Sequence, residues 1–404
     1  MRPATQWVKP GLINESNLRQ IIRRPTIRSR LRGENMGRLS LRLAGLVVLW
    51  LVAGLSPVFA ADFTKPGPFA VGLQKFTIPD ISGKHPMATM VWYPAAGPAP
   101  DPNAAILMVS MDAPAATTGP YPLVILIHGL DGNGSLYGTL GRQLASYGFV
   151  VAAADYDTGL GGPLDEGVSR EDGRAIWLLY DHPANVVRVI EYTDSLTAPG
   201  GKLAGTIDTS HIGVWGHSSG GTTVFQAGGA RVNFRELDAW CAVNKKDPYA
   251  SDTCQFVGHE QSVATHYGVA DPIAAPMPPI WDRRVAALVA GAPDELHAFG
   301  DTGIAEVKVP TLIMFASDDA AVSPKHNALW AYDEISSQDK ALAVFDRGGH
   351  MMFMNSSEPA FKQANALTTA FFLDILKGHP AGRPALMPDA VSFPGLSYKT
   401  TLQP

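Results

Sequence analysis

The sequence predicts an α/β fold: one eight-stranded, mostly parallel sheet with helices on both faces and an inserted, cap-like segment. Three observations carry this. Short apolar runs rich in β-branched residues recur along the chain, stretches of helix length and turn residues separate them, and the composition suits one large core. Of 404 residues, 46% are hydrophobic and only 17% charged, with 40 Gly and 32 Pro. That excludes a long coiled coil, a collagen repeat and a charge-rich disordered chain. A formal charge of −5 supplies no basic footprint for phosphate, so nucleic-acid binding is not expected.

In chain order, strands are expected at 71–78, 87–93, 123–127, 150–154, 212–215, 285–290, 311–315 and 342–345. The first two leave no room for a helix between them and should pair antiparallel. The later ones are spaced for crossovers and read as continuous buried runs, such as Leu123-Val124-Ile125-Leu126-Ile127. Helices are expected at 136–147, 183–195, 220–228, 325–335 and 360–376. There is no internal repeat. Two excursions exceed what a connection needs: the Pro/Ala-rich 95–121, and 231–282 with Trp240, Cys241, Cys254 and Trp281. The second reads as a cap over a site in preference to a surface elaboration.

The amino-terminal stretch is different. Residues 1–35 carry Arg2, Lys9, Arg19, Arg23, Arg24, Arg28, Arg30 and Arg32 against Glu15 and Glu34, show no sustained apolar face, and are expected to stay unfolded. Arg38 and Arg42 then precede the apolar run 43–55 and Ser56-Pro57-Val58-Phe59-Ala60, the pattern of a secretory signal cut between Ala60 and Ala61. About 13 residues make roughly 20 Å of helix, short of a ~30 Å hydrocarbon core, so no stable membrane span should remain after processing. Arg23-Arg24 lies too far from the run for a twin-arginine signal. Met36 reads as the start, with 1–35 an upstream over-extension or a long n-region. The mature protein is expected in the periplasm or secreted.

Cys241 and Cys254 suit that compartment, where a bridge closing their short loop adds ~3 kcal/mol; two unpaired thiols are the alternative. No metal pattern uses them. Neither has a Cys-x-x-Cys partner, and His259-Glu260 with His266 misses the His-Glu-x-x-His spacing.

Chemistry begins where His211-Ile212-Gly213-Val214-Trp215 runs into Gly216-His217-Ser218-Ser219-Gly220-Gly221 and then a helical stretch. A bare Gly-x-Ser-x-Gly arises by chance about once in four chains of this composition, so its place between strand and helix carries the argument. There a sharp turn strains its middle residue and exposes the Ser218 hydroxyl, and flanking glycines avoid collisions with neighbouring backbone. A serine nucleophile needs a neutral imidazole and a carboxylate to orient it, in the order Ser, acid, His. Asp319 follows the seventh strand and is preferred to Asp318, with Asp294 after the sixth as the outsider. His350 follows the eighth strand through Gly348-Gly349 and is preferred to His326 and His379. Strand three ends in His128-Gly129-Leu130-Asp131-Gly132, which assigns the oxyanion-binding N–H groups to Leu130 and Ser219. His128 and His217 read as structural.

Tyr121-Pro122-Leu123 through Gly129-Leu130, Leu144-Ala145-Ser146-Tyr147-Gly148-Phe149 through Ala153, and Gly216 through Gly221 resemble the dienelactone-hydrolase-like and platelet-activating-factor acetylhydrolase-like branch of the α/β-hydrolases. The likeness covers most of 65–380 and implies a serine esterase or lipase needing no metal or organic cofactor. The acetylhydrolases carry their acid just after strand six, where this chain has Gly291-Ala292-Pro293. Pro310-Thr311-Leu312-Ile313 through Asp319 instead resembles the cutinase-like polyester hydrolases, whose acid follows strand seven. Dienelactone hydrolases use a cysteine nucleophile, and Ser218 stands at that position. The expectation is an exported serine hydrolase of small-molecule or lipid-like carboxylic esters. An amidase on the same residues is the nearest rival, and a non-catalytic binding protein the remote one.

Overall fold

The computed structural model describes residues 61–104, 107–156 and 167–404, all within one compact unit, Ala60–Pro404. The expected signal segment and residues 1–35 lie outside the described residues. The strands are β1 Ala70–Pro79, β2 Pro86–Ala95, β3 Val109–Met111, β4 Tyr121–Ile127, β5 Val150–Ala154, β6 Ile207–His217, β7 Val285–Gly291, β8 Thr311–Ala316, β9 Lys340–Phe345 and β10 Leu396–Thr400. They form one sheet in the order β10-β9-β8-β7-β6-β4-β5-β2-β1-β3. From β9 to β5 every neighbouring pair is parallel, whereas β2 joins β5 and β1 joins β2 antiparallel.

Every residue of β4, β5 and β8 is buried, as sheet centres covered on both faces require. Pro122, which cannot donate to a ladder, falls at the start of β4, where the pairing with β6 shifts register. The expectation of eight strands is corrected to ten among the described residues. Both additions are edge strands: three residues of β3 parallel to β1, and β10 antiparallel to β9 with half-buried and exposed positions alternating. Neither carries an apolar run, because an edge strand covers little core.

The helices that frame the sheet are α1 Gly138–Ser146, α2 Arg170–Ile176, α3 His182–Thr197, α4 Ser219–Ala227, α5 Phe234–Asn244, α6 Glu260–His266, α7 Trp330–Glu334 and α8 Pro359–Lys377. Ser169 caps α2 by accepting from the Asp172 N–H, and a wide π turn at Trp177–Asp181 carries the chain into α3, whose first turn holds Pro183. Gly378, at φ 55°, closes α8 by donating to the Asp374 carbonyl at 2.9 Å. Among the described residues no helix is long and apolar enough to cross a membrane.

The long excursion 231–282 holds α5, the turns Pro248–Ala250 and Ser251–Cys254, and α6. A Cys241–Cys254 disulfide joins its first helix to the Ser251–Cys254 turn, with the Cα atoms 5.6 Å apart. It is tied to the segments that follow β7 and β8. Asp247 bonds His326 at 2.8 Å, Trp240 stacks on His297 at 4.0 Å, and His297 meets Trp330 at 4.1 Å. On its other side His259 pairs with Asp172 of α2 at 2.9 Å.

Candidate active site

The carboxyl ends of β4, β6, β8 and β9 bring the candidate residues together. Ser218 stands between β6 and α4 at φ 57° and ψ −129°, a left-handed conformation that a non-glycine side chain adopts under strain. Its N–H donates to the Gly291 carbonyl at 3.0 Å, and its own carbonyl accepts from Gly221 N at 2.7 Å. The glycines are there for space. A Cβ on Gly216 would strike the Gly220 carbonyl, and one on Gly220 would sit 2.5 Å from the Ile127 carbonyl oxygen and 2.6 Å from that of His128. This is close packing of the turn against the end of β4.

The Ser218 hydroxyl donates to His350 Nε2 at 2.9 Å, and His350 Nδ1 donates to Asp319 Oδ2 at 2.8 Å. Asp319 Oδ1 is taken by two backbone donors, Ala321 N at 2.9 Å and Val322 N at 3.0 Å. Burial works to raise the Asp319 pKa. The hydrogen bond and charge of His350, with the two N–H groups, outweigh it and hold the carboxyl below its ordinary value. The site therefore has a fixed carboxylate behind a part-exposed imidazole.

Neighbours hold His350 in place. Asp318, exposed, accepts from Gly349 N at 2.8 Å and clamps the turn that presents the imidazole; sequence spacing carried no sign of this. Gly348 at φ 137° and Gly349 at φ 60° make that turn possible. Beneath it, His217 Nε2 donates to the His350 carbonyl at 2.9 Å and His217 Nδ1 accepts from the Tyr137 hydroxyl at 3.0 Å. Burial, then the charge of His350, depresses the His217 pKa to about 3, so the ring is a neutral support.

His128 sets the loop after β4. Its Nδ1 donates to the Gly129 carbonyl at 2.8 Å, Gly132 N donates to the same oxygen at 3.0 Å, and its Nε2 accepts from Tyr156 N at 2.9 Å. Burial lowers its pKa, and both nitrogens are engaged. Because a trans peptide is planar, fixing the Gly129 carbonyl turns the Leu130 N–H the opposite way. Gly129 itself packs on Ser218: a Cβ there would lie 2.8 Å from Ser218 Cβ. Ser219 opens α4, so its N–H has no intrahelical acceptor.

Asp294, the outsider acid, is buried and turned elsewhere. It accepts from Glu295 N at 2.8 Å and Asn327 Nδ2 at 3.2 Å, and burial with the Glu295 charge pushes its pKa well up. Glu295 escaped the sequence reading. It is 1% exposed, sits at φ 55°, and receives Arg174 Nη2 at 3.2 Å beside Ser219 and Thr222 at the start of α4. Burial raises its pKa to about 7 against the pull of Arg174. Its one legible sign was an acidic pair, Asp294-Glu295, shortly after a central strand. His326 is occupied by Asp247, and His379 belongs to the turn after α8.

A family model described as platelet-activating factor acetylhydrolase, isoform II, matches residues 104–158, which contain β4, the Gly129–Leu130 loop, α1 and β5. The chain resembles that branch of the α/β-hydrolases. The platelet-activating factor acetylhydrolase of Cavia porcellus is 27% identical across 32% of this chain and 37% of its own length. Those of Canis lupus familiaris and Bos taurus are 28% identical across 32% of this chain and 37% and 39% of theirs. The chain thus spans less than two fifths of these curated relatives, and the sheet order and elbow described above extend the α/β-hydrolase likeness beyond the matched stretch.

Proposed function

We propose that the chain is an exported serine hydrolase that cleaves carboxylic esters, lipid-like esters among them, through an acyl-enzyme on Ser218. The observation that carries the reading is the continuous line Ser218 Oγ, His350 Nε2, His350 Nδ1, Asp319 Oδ2, with links of 2.9 and 2.8 Å at a strained strand-to-helix turn. Ser218 Oγ attacks the acyl carbon while His350 Nε2 takes its proton. The negative charge that develops on the carbonyl oxygen is met by the Leu130 and Ser219 N–H groups. His350 then protonates the leaving alcohol, and water, deprotonated by the same ring, releases the acid and frees Ser218. Asp319 keeps the proton of the resting ring on Nδ1 and stabilises the imidazolium. The acetylhydrolase likeness supports an ester as substrate. The ties of 231–282 to the segments after β7 and β8 support its role as a cap.

The test is a panel of chromogenic esters graded by acyl length, run beside anilides, with fluorophosphonate labelling of wild type and Ser218→Ala. Ester turnover with Ser218→Ala reduced roughly 10⁴-fold or more is expected, with label on wild type only. Label retained by Ser218→Ala refutes the nucleophile, and faster anilide than ester turnover refutes the substrate class. Export is checked by amino-terminal sequencing of the secreted protein, expected to begin at Ala61.

A further inference from the structure

A concave site lies away from Ser218, His350 and Asp319, none of which lines it. A cavity of about 680 Å³ opens between residues 63–66, residues 102–104 with Leu107, α1, and the segment from Ser356 into α8. Its charged lining is Lys65, Arg142 and Lys362, with no Asp or Glu among the described lining residues, although the chain as a whole is acidic. That volume is in the range of ligand pockets. Apolar walls come from Phe63, Leu107 and Phe361.

Arg142 is the anomaly. Its Nη2 donates to Thr139 Oγ1 at 3.1 Å, while its Nε is buried with no acceptor among the described residues. Burial lowers its pKa, and among the described residues no carboxylate opposes the effect. Of the carboxylates nearest in sequence to the cavity walls, Asp62 accepts from Thr64 N at 3.1 Å and Asp101 from Asn103 N at 2.8 Å, while Glu358, between Ser356 and Phe361, is not among the lining residues. Gln143, next to Arg142, donates to the Phe63 and Lys65 carbonyls at 2.8 Å each, so the wall carrying Lys65 is latched to the helix carrying Arg142. A half-buried guanidinium with no counter-charge among the described residues is unfavourable, and an oxyanion in the cavity, met by its terminal nitrogens, supplies the missing charge.

We propose that this cavity binds an organic anion, its phosphate or carboxylate held by the Arg142 guanidinium with Lys65 and Lys362 adding charge, and its apolar body against Phe63, Leu107 and Phe361. The planar fork of Arg142 suits either oxyanion, and the two lysines act as point charges. The walls contributed by α1 and by Ser356–Lys362 follow directly on the loops that carry Leu130 and His350. The anion is therefore either a group on the ester substrate or a separate molecule.

The probe is hexyl phosphate, titrated calorimetrically into the full chain at constant ionic strength, with hexanol as the uncharged control. Saturable binding of the phosphate but not of hexanol is expected. Arg142→Gln and, independently, the exposed Lys362→Gln should weaken it tenfold or more, with thermal melts showing both folded. Hydrolysis of a neutral ester should be unchanged in both. If hexyl phosphate competes with a carboxylate-bearing ester and Arg142→Gln raises KM for that ester alone, the anion is part of the substrate; binding without competition marks a separate ligand. Absence of saturable binding to wild type, or binding to both folded variants within twofold of wild type, overturns the proposal. Calorimetry needs no turnover, so failure here is distinct from failure of the esterase reading.

Discussion

Replacing Asp319 by Asn should disable the site through a proton placed on the wrong nitrogen. Two backbone donors, Ala321 N and Val322 N, fix one carboxylate oxygen at 2.9 and 3.0 Å, while the other accepts from His350 Nδ1 at 2.8 Å. An Asn there must keep its carbonyl oxygen toward the two N–H groups, because its NH₂ cannot accept from them. The NH₂ then faces His350 Nδ1 and stabilises the tautomer with the proton on Nε2, which points at Ser218 and can no longer take its proton. A loss of about 10⁴ in kcat follows, about 5.5 kcal/mol of transition-state stabilisation. The neighbouring Asp318→Asn leaves an amide oxygen to accept from Gly349 N at an exposed position, so a change within about threefold is expected. The assay is kcat on p-nitrophenyl acetate with fluorophosphonate labelling rates, in variants whose thermal melts match wild type. Asp319→Asn retaining more than about a tenth of wild-type kcat, or Asp294→Asn losing as much, would refute the reasoning.

Three further outcomes follow from other contacts. Gly129→Ala puts a Cβ 2.8 Å from Ser218 Cβ and 3.0 Å from the His217 carbonyl, so kcat should fall roughly 10²–10³-fold as the oxyanion loop is displaced, with a melt close to wild type; unchanged kcat would remove Leu130 from the site. Glu295, with its pKa raised from 4.5 to about 7, holds a proton in the native state that the unfolded chain has already lost, so its contribution to stability falls as pH rises from 4.5 to 7. Glu295→Gln should flatten that part of the denaturation profile and favour the variant at pH 8, by roughly 3 kcal/mol at most; parallel profiles would refute the assignment. Cys241→Ser opens the Cys241–Cys254 bridge, which contributes ~3 kcal/mol by loop entropy, so the melting midpoint should drop a few degrees. KM for bulky esters should change while small esters turn over almost normally; equal effects on both would argue against a cap.

What short windows of sequence encode was legible. The central strands announce themselves because a run buried on both faces must be apolar throughout, and Leu123–Ile127 is such a run in the heart of β4. The elbow is legible because its glycines answer a local steric demand, now visible as collisions at Gly216 and Gly220. His350 stood out by following a late strand through two glycines that adopt positive φ. The edge strands β3 and β10 escaped because pairing, and not burial, makes them strands. The sequence reading prefers Asp319 to Asp318, but strand order gives no physical reason to separate adjacent residues of which one clamps a turn and the other meets the imidazole. The backbone after β8 decides between them, by spending its Ala321 and Val322 N–H groups on Asp319. Glu295 and Arg174 meet across 121 positions, and the cavity around Arg142 is assembled from four separate segments. Such partnerships follow from the order in which strands are laid side by side, so periodicity and local sterics determined the scaffold and the strand-to-helix turn that carries Ser218. Only the assembled sheet shows why Asp319 and not Asp318 meets the imidazole, and which charges lie without a partner among the described residues.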